Sequence, residues 1–322
     1  MIGNHLFIGI DIGGTNTKGG LVSRDGTIVA EKTIPTGAFK PAEYTLNQVV
    51  SLIHELTRMA EGSGLVTGIG IGAAGQVDFE SGIYIEGPNV PNWKNIRVAL
   101  EIEKIVNKPV ILDNDAHLAA LGEYTYGAGR GVSNMLMVTI GTGVGGGLIL
   151  DGRLYRGKKY TAGEFGHTTI RYDGPVCACG RKGCVEAFIG KQAILKRVQE
   201  KLVLDRTSLL HRIPADEMEP RHVGEAAAQG DEIARNILRE TGEFLGIGLA
   251  NVANLLNIEK AVIGGGVSYA GEWIFQSARE RLAKEALKVP RETIQVVHAA
   301  LGNKAGLTGA AHLAMDFFDH LD

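Results

Sequence analysis

Apolar and polar positions follow two rhythms along this chain, and the first one occurs twice. Leu6–Ile10, Gly19–Val22 and Ile28–Lys32 alternate as strands do and predict a three-stranded meander, with Asp25-Gly26 as a hairpin turn. The spacing then lengthens. Leu46, Val49, Val50, Ile53 and Leu56 recur at helical intervals, so an amphipathic helix is predicted from Pro41 to about Ala60. Thr67–Gly72 predicts a further strand and Ile96–Val106 a helix. Pro109–Leu112 predicts a buried strand that delivers Asp113-Asn114-Asp115 at its carboxyl end.

The opening rhythm returns at Met135–Ile140 and Gly146–Leu150, two predicted strands joined through Gly141-Thr142-Gly143, with Asp151-Gly152 as the next turn. Segments 6–32 and 135–155 therefore share one plan. Repetition of this kind predicts two related α/β lobes facing each other. Beyond it the pattern predicts a helix from about Glu186 and an irregular connection over Leu204–Pro220. Long helices follow, through Asn254 and from Gly271 to Leu287. Ala261–Ile263 and Ile294–Val297 are predicted strands, and a last helix, Leu307–Phe318, is placed to pack back on the first lobe.

Candidate chemistry sharpens this picture between residues 164 and 186. All three cysteines fall in the string Cys177-x-Cys179-x4-Cys184, after Glu164-Phe165-Gly166-His167 and just before Glu186. Buried structural cysteines scatter along a chain. These cluster, with Gly180 and Gly183 to allow tight turns. Three thiolates and the His167 imidazole make a four-ligand set for tetrahedral Zn²⁺. With every position filled by protein, the predicted zinc is structural, and its knot would draw Glu164 and Glu186 towards one place.

Glycine is the compositional outlier, with 45 residues in 322, about twice the usual ~7% share. Gly70-x-Gly72-x-x-Gly75 and Gly141-x-Gly143-x-x-Gly146 match a dinucleotide string, but a strand or hairpin follows where a helix is required. Gly152-x4-Gly157-Lys158 lacks the Ser or Thr of a P-loop, having Lys159 there. Better candidates are the hairpin tips Asp11-Ile12-Gly13-Gly14-Thr15-Asn16-Thr17-Lys18 and Gly141-Thr142-Gly143. Successive backbone N–H groups there can nest a phosphate, and Asp11 is placed to hold hydrated Mg²⁺. Plain hairpins also use glycine, but they do not call for Asp11 with Thr15 at one tip and Thr142 at the other.

Charge and length exclude several classes. A formal net charge of −3 gives no electrostatic case for nucleic acid. No apolar window approaches the ~18 residues of a membrane span, and no secretory pattern precedes Leu6. Three metal-spaced cysteines suit a reducing compartment, so the cytoplasm is expected. The apolar fraction of 44% describes an ordinary globular protein, long enough for two lobes.

These residues together resemble the ROK family (repressor, open reading frame, kinase), nearly end to end. The likeness rests on Asp11–Lys18, Gly87-Pro88-Asn89 with Trp93, Asn114-Asp115-Ala116, Glu164-x-Gly-His167, the cysteine knot with Glu186, and Gly264-Gly265-Gly266-Val267-Ser268. Within the family the chain is most similar to bacterial glucokinases. The resemblance implies a two-lobed actin-like ATPase (ribonuclease H-like) fold with an interlobe cleft and a zinc-stapled turn. The expected division is a small lobe over residues 1–115, completed by a helix at 305–322, and a larger lobe over 116–304.

It further implies ATP-dependent phosphorylation of a hexose at its 6-hydroxyl, glucose first, with N-acetylmannosamine, N-acetylglucosamine or fructose as alternatives. Asp115 is implied as the base. Gly75, Asn89, Asn114, Glu164, His167 and Glu186 are implied as sugar contacts. Asp11, Gly13, Gly14, Thr15, Asn16, Lys18, Thr142, Gly143, Gly265 and Gly266 are carried over as ATP contacts. Mg²⁺, a structural Zn²⁺ and a homodimer or higher oligomer are also implied.

The family also holds sugar-sensing repressors, but those carry a DNA-binding domain ahead of the kinase-like body, and Asp11 stands too early for one. Ala74 replaces a frequent proline and His117 a frequent asparagine. The residues alone leave Asp113 open as a base, because strand alternation points 113 and 115 to the same side. A carboxylate near its usual pKa of ~4 is a poor base, so the proton is expected to move late.

Overall fold

The computed structural model describes residues 5–319. Residues 1–4 of the expected first lobe and 320–322 of its expected closing helix lie outside them. Strands β1 (His5–Ile12), β2 (Asn16–Ser23) and β3 (Ile28–Pro35) form the meander. Helix α1 (Ala42–Met59) and strand β4 (Leu65–Ala73) follow. A small separate hairpin comes next, β5 (Gln76–Asp78) with β6 (Ile83–Glu86), then α2 (Val98–Val106), β7 (Val110–Asn114) and α3 (Asp115–Tyr126).

The second half begins with β8 (Met135–Ile140), β9 (Val144–Leu150) and β10 (Arg153–Tyr155). Helices α4 (Glu186–Ile189), α5 (Lys191–Leu204), α6 (Pro220–Ala228) and α7 (Glu232–Leu256) lead to β11 (Lys260–Gly264). After α8 (Glu272–Glu285), α9 (Lys288–Thr293) and β12 (Gln295–His298), helix α10 (Ala305–Phe318) ends the described chain. Among the described residues no helix is long and apolar enough to cross a membrane.

The repeated rhythm becomes a repeated sheet. One sheet has the order β3-β2-β1-β4-β7 and the other β10-β9-β8-β11-β12. In each, an antiparallel meander is followed by two parallel strands on the far side of its first member. Alternation decides which face meets what. Ile8, Ile10 and Ile12 of β1 pack with Leu52, Ile53 and Leu56 of α1, while Phe7 turns to Leu307 and Ala310 of α10. In the second sheet Leu136, Val138 and Ile140 face α7 and α8, whereas Met135 and Met137 cluster with Ala119 and Ala120 of α3. Helix α3 thus serves both sheets.

Close packing under α10 depends on absent side chains. A methyl at Gly9 would stand 1.8 Å from the Leu307 carbonyl oxygen, and one at Gly70 1.8 Å from that of Ala310. Neither backbone can yield without moving α10. Gly70→Ala is expected to cost about 1–3 kcal/mol by overpacking, read as a lower urea midpoint at unchanged slope. An unchanged midpoint would contradict this helix approach.

Two expectations need correction. The helix expected from Glu186 breaks after one turn, because Gly190 takes an extended conformation (ψ 159°) and caps α5. The break lets the Lys191 N–H reach the Gly141 carbonyl at 3.0 Å. Residues 113 and 115 also do not share a side. The strand ends at Asn114 and the chain turns into α3 at Asp115, so alternation stops between them.

Candidate active site

The site is built around the turn from β7 into α3. Asn114 caps the helix, its Oδ1 accepting from the backbone N–H groups of Ala116 (2.9 Å) and His117 (3.1 Å). Short polar side chains favour this position because they satisfy donors that the first turn leaves unpaired. Its Nδ2 donates to the Gly75 carbonyl at 3.0 Å, which ties the cap to the loop after β4. That loop is tight. Gly75 has φ 137°, and Tyr84 Oη donates to the Ala74 carbonyl at 2.7 Å.

Asp115 and Asp113 have different surroundings. Asp113 is fully buried and accepts from Arg156 Nε (2.7 Å) and His117 Nδ1 (3.0 Å). Asp115 is half-buried at the mouth of the turn, with its Oδ1 2.8 Å from the Ala116 N–H. Burial pushes its carboxyl up to about 7, and the Asp11 carboxylate adds to the rise. Asp11, at the end of β1, is itself raised by burial, with Lys18 opposing. Two carboxylates raise each other's pKa when they share one low-dielectric groove. Among the described residues, no hydrogen-bond donor reaches Asp11.

The first hairpin tip lies beside this groove. Thr36 holds it from below, its N–H donating to the Thr15 carbonyl (2.9 Å) and its Oγ1 to that of Gly13 (2.7 Å). Gly14, Thr15 and Asn16 are left exposed, with Gly13 and Lys18 partly so. A methyl on Gly14 would stand 3.4 Å from Asn89 Oδ1, so the glycine turn and the Asn89 loop are neighbours.

The second sheet supplies the facing wall. A methyl at Gly145 would lie 3.0 Å from Ala116 Cβ, which sets the start of β9 against the start of α3. Thr142 and Gly143 are exposed at that tip. Gly265, at φ 85°, fits against the Ile140 backbone with Gly266 open beside it. Glu186 Oε2 accepts from the Val144 N–H at 2.9 Å and its Oε1 from Cys177 Sγ at 3.3 Å. One carboxylate thus joins the second hairpin to the cysteine knot. Glu164 is exposed just ahead of the short turn Phe165–His167.

Within the knot, one ligand atom from each of His167, Cys177, Cys179 and Cys184 lies within 4.8 Å of the others. Two edges measure 3.7 Å, Cys177 Sγ to His167 Nδ1 and Cys179 Sγ to Cys184 Sγ. A tetrahedron with Zn–S bonds of ~2.3 Å has S–S edges of roughly 3.8 Å, so the donor set fits zinc. The thiols conflict without a cation. Burial pushes Cys177 up to about 12, while the backbone N–H and side chain of Arg181 draw Cys179 down to about 6. An apolar cavity between α5 and the Leu209–Arg212 turn shares no residue with this region.

With this geometry in place, comparison with known proteins is decisive. The model of the ROK family matches residues 7–316. The chain belongs to the ROK family. The glucokinase of Thermotoga maritima is 35% identical over 308 residues, covering 95% of this chain and 96% of that protein. The crystal structure of a ROK family glucokinase from Streptomyces griseus, in complex with glucose and AMPPNP, is 34% identical. It superposes with a TM-score of 0.84 over 97% of this chain and 99% of that one. A ROK family transcriptional regulator, homologous to the E. coli MLC protein, gives a TM-score of 0.88 at 29% identity, over 96% of this chain and 77% of that one. The actin-like ATPase architecture that the family resemblance implied is therefore the observed one.

Some residues of the site carried no role in the sequence. His117 stood out there only as a departure from a frequent asparagine. It is buried, with Nδ1 on Asp113 and Nε2 on the Ala162 carbonyl at 2.8 Å. Arg156 had no motif to mark it. Gly306, where a methyl would stand 3.0 Å from Asp11 Oδ2, brings the first turn of α10 to the groove. The glycine there was the available signal.

Proposed function

We propose that this chain is an ATP-dependent glucokinase that transfers the γ-phosphoryl group of ATP to the 6-hydroxyl of glucose. The observation that carries this reading is the half-buried carboxylate of Asp115 at the β7–α3 turn, raised to about 7 by burial and the neighbouring Asp11, with both glycine hairpins close by. The glucose and AMPPNP bound to the Streptomyces griseus relative support the choice of substrates.

Phosphoryl transfer through a loose transition state needs positioning and charge neutralisation more than a strong nucleophile. Asp115 takes the hydroxyl proton. Its raised pKa makes it a better base than the ordinary carboxylate expected from sequence, because base strength rises with pKa. Asn89, Asn114, Glu164, His167, Glu186 and the Gly75 loop present the mixed donors and acceptors that a hexose ring requires. Thr15 and Thr142, with Gly13, Gly14, Asn16, Lys18, Gly143, Gly265 and Gly266, form the nucleotide side. Asp11 would hold Mg²⁺, and the want of any donor to its carboxylate suits a cation. When bound, Mg²⁺ supplies charge neutralisation on the phosphates.

His167, Cys177, Cys179 and Cys184 would hold a structural zinc that braces Glu186. The two lobes, 1–115 with 305–322 and 116–304, belong to the same reading. A homodimer or higher oligomer is what the family resemblance adds, and the metal-spaced cysteines suit a cytoplasmic setting. Light scattering after size exclusion measures the first.

A coupled ADP-release assay against a sugar panel tests the proposal. Glucose is expected to give the highest kcat/KM, ahead of N-acetylmannosamine, N-acetylglucosamine and fructose. The likeness to a transcriptional regulator favours a second reading, a sugar sensor without turnover. Sugar binding with no ADP release from any hexose would select it.

A further inference from the structure

The floor of the groove carries a cross-brace that the roles above leave unused. Segment 156–163 leaves β10 and crosses to the end of β7 before it returns to Glu164. Arg156 Nε donates to Asp113 Oδ2 at 2.7 Å, and its guanidinium lies 3.9 Å from the Phe79 ring centroid. His117 completes the tie, with Nδ1 3.0 Å from Asp113 Oδ1 and Nε2 2.8 Å from the Ala162 carbonyl oxygen. Tyr160 Oη donates to Glu80 at 2.8 Å. The backbone bends to do this, with positive φ at Gly157 (68°), Tyr160 (60°) and Gly163 (89°). A tyrosine in that region is strained and persists only where its contacts hold it.

The chemistry of the tie fixes the charge of His117. Both atoms facing its ring are acceptors, so both nitrogens must donate, and a neutral imidazole has one N–H. His117 is therefore an imidazolium. Burial opposes this charge, but Asp113 and the Ala162 carbonyl outweigh burial and raise the group, with Arg156 opposing. The charged groups around it are Asp113 from β7, Arg156 from the crossing segment and Asp115 from its own helix. The Glu164 carboxylate, by contrast, accepts no hydrogen bond from any described residue, although its carbonyl takes the His167 N–H at 3.0 Å. Its place is set by the backbone, and Ala162 is only two residues away, about 7 Å of chain at most.

We propose that His117 and Arg156 are positioning residues that lash segment 156–163 to Asp113 and so fix the span between Glu164 and the Asn114–Asp115 turn across the sugar. The inference rests on the sugar-kinase reading, and it concerns the sugar side alone. Each nucleotide hairpin is anchored elsewhere, one by Thr36 and the other by Glu186.

Steady-state kinetics with glucose and ATP varied separately test it. Arg156→Ala and His117→Leu are expected to raise the glucose KM at least about tenfold, since a misplacement near 1 Å can cost ~10²-fold. The ATP KM should stay within about twofold. Arg156→Lys and His117→Asn, which keep one donor each, should recover part of the loss. In the wild type the glucose KM should rise at alkaline pH as the ring loses a proton, and His117→Asn should remove that dependence. Should Arg156→Ala fail to fold, the other three variants read the same constants. An unmoved glucose KM, or glucose and ATP constants that worsen together, overturns the brace. A wild type that phosphorylates no hexose overturns the kinase reading and the brace with it.

Discussion

Asp115→Asn is expected to lower kcat by about 10²–10⁴-fold while glucose still binds within about threefold of the wild-type affinity. The amide keeps the size of the side chain and can still hydrogen-bond a hydroxyl, but it cannot take the proton. Isothermal titration for binding and single-turnover kinetics for the chemical step separate the two. The pH profile gives a second readout. The carboxyl is raised to about 7 by burial and then by Asp11, so kcat/KM should fall as pH drops through about 7.

The same shift has a stability consequence with a definite sign. A carboxyl whose folded pKa lies above its unfolded value of ~3.9 binds a proton more tightly in the native state, and its ionisation costs stability as pH rises between the two. Asp115→Asn should therefore melt at a higher temperature than the wild type at pH 8, with the gain vanishing near pH 4. A catalytic group held at the expense of stability behaves in this way.

Loss of the zinc ligands should produce the largest structural effect. Cys184 is fully buried and sits 3.7 Å from Cys179 Sγ. Cys184→Ser should remove close to one equivalent of zinc per chain, measured by elemental analysis, and should cost at least about 4 kcal/mol of stability. The damage should also reach the sugar. Glu186 follows Cys184 by two residues and accepts from the Val144 N–H, so a slackened knot shifts a proposed sugar contact. Chelator-treated wild type should show the same weaker glucose affinity, restored by Zn²⁺. Full affinity and an unchanged melting temperature after complete zinc removal would contradict the bracing role.

Sequence legibility followed the range of the interactions. The two meanders were visible because strand alternation is local, and their repetition foretold two sheets of the same order. The knot was visible because its three thiols lie within eight residues of each other. Asp113 and Asp115 could not be separated, since which one is buried depends on Arg156, 43 residues away. The role of His117 stayed hidden for the same reason, because its partner Ala162 lies 45 positions on. The small hairpin β5–β6 and the break at Gly190 were missed because short elements carry too few residues to show a period.

One carboxylate at the start of α3, that of Asp115, is the proposed acceptor of the sugar hydroxyl proton. A crystal structure with glucose and AMPPNP bound tests it most directly. The 6-hydroxyl is predicted to lie within about 2.6–3.2 Å of the Asp115 carboxylate, with Asp113 still closed on Arg156. A sugar whose hydroxyl instead meets Glu164 or Glu186, or one bound away from the α3 turn, would contradict the account.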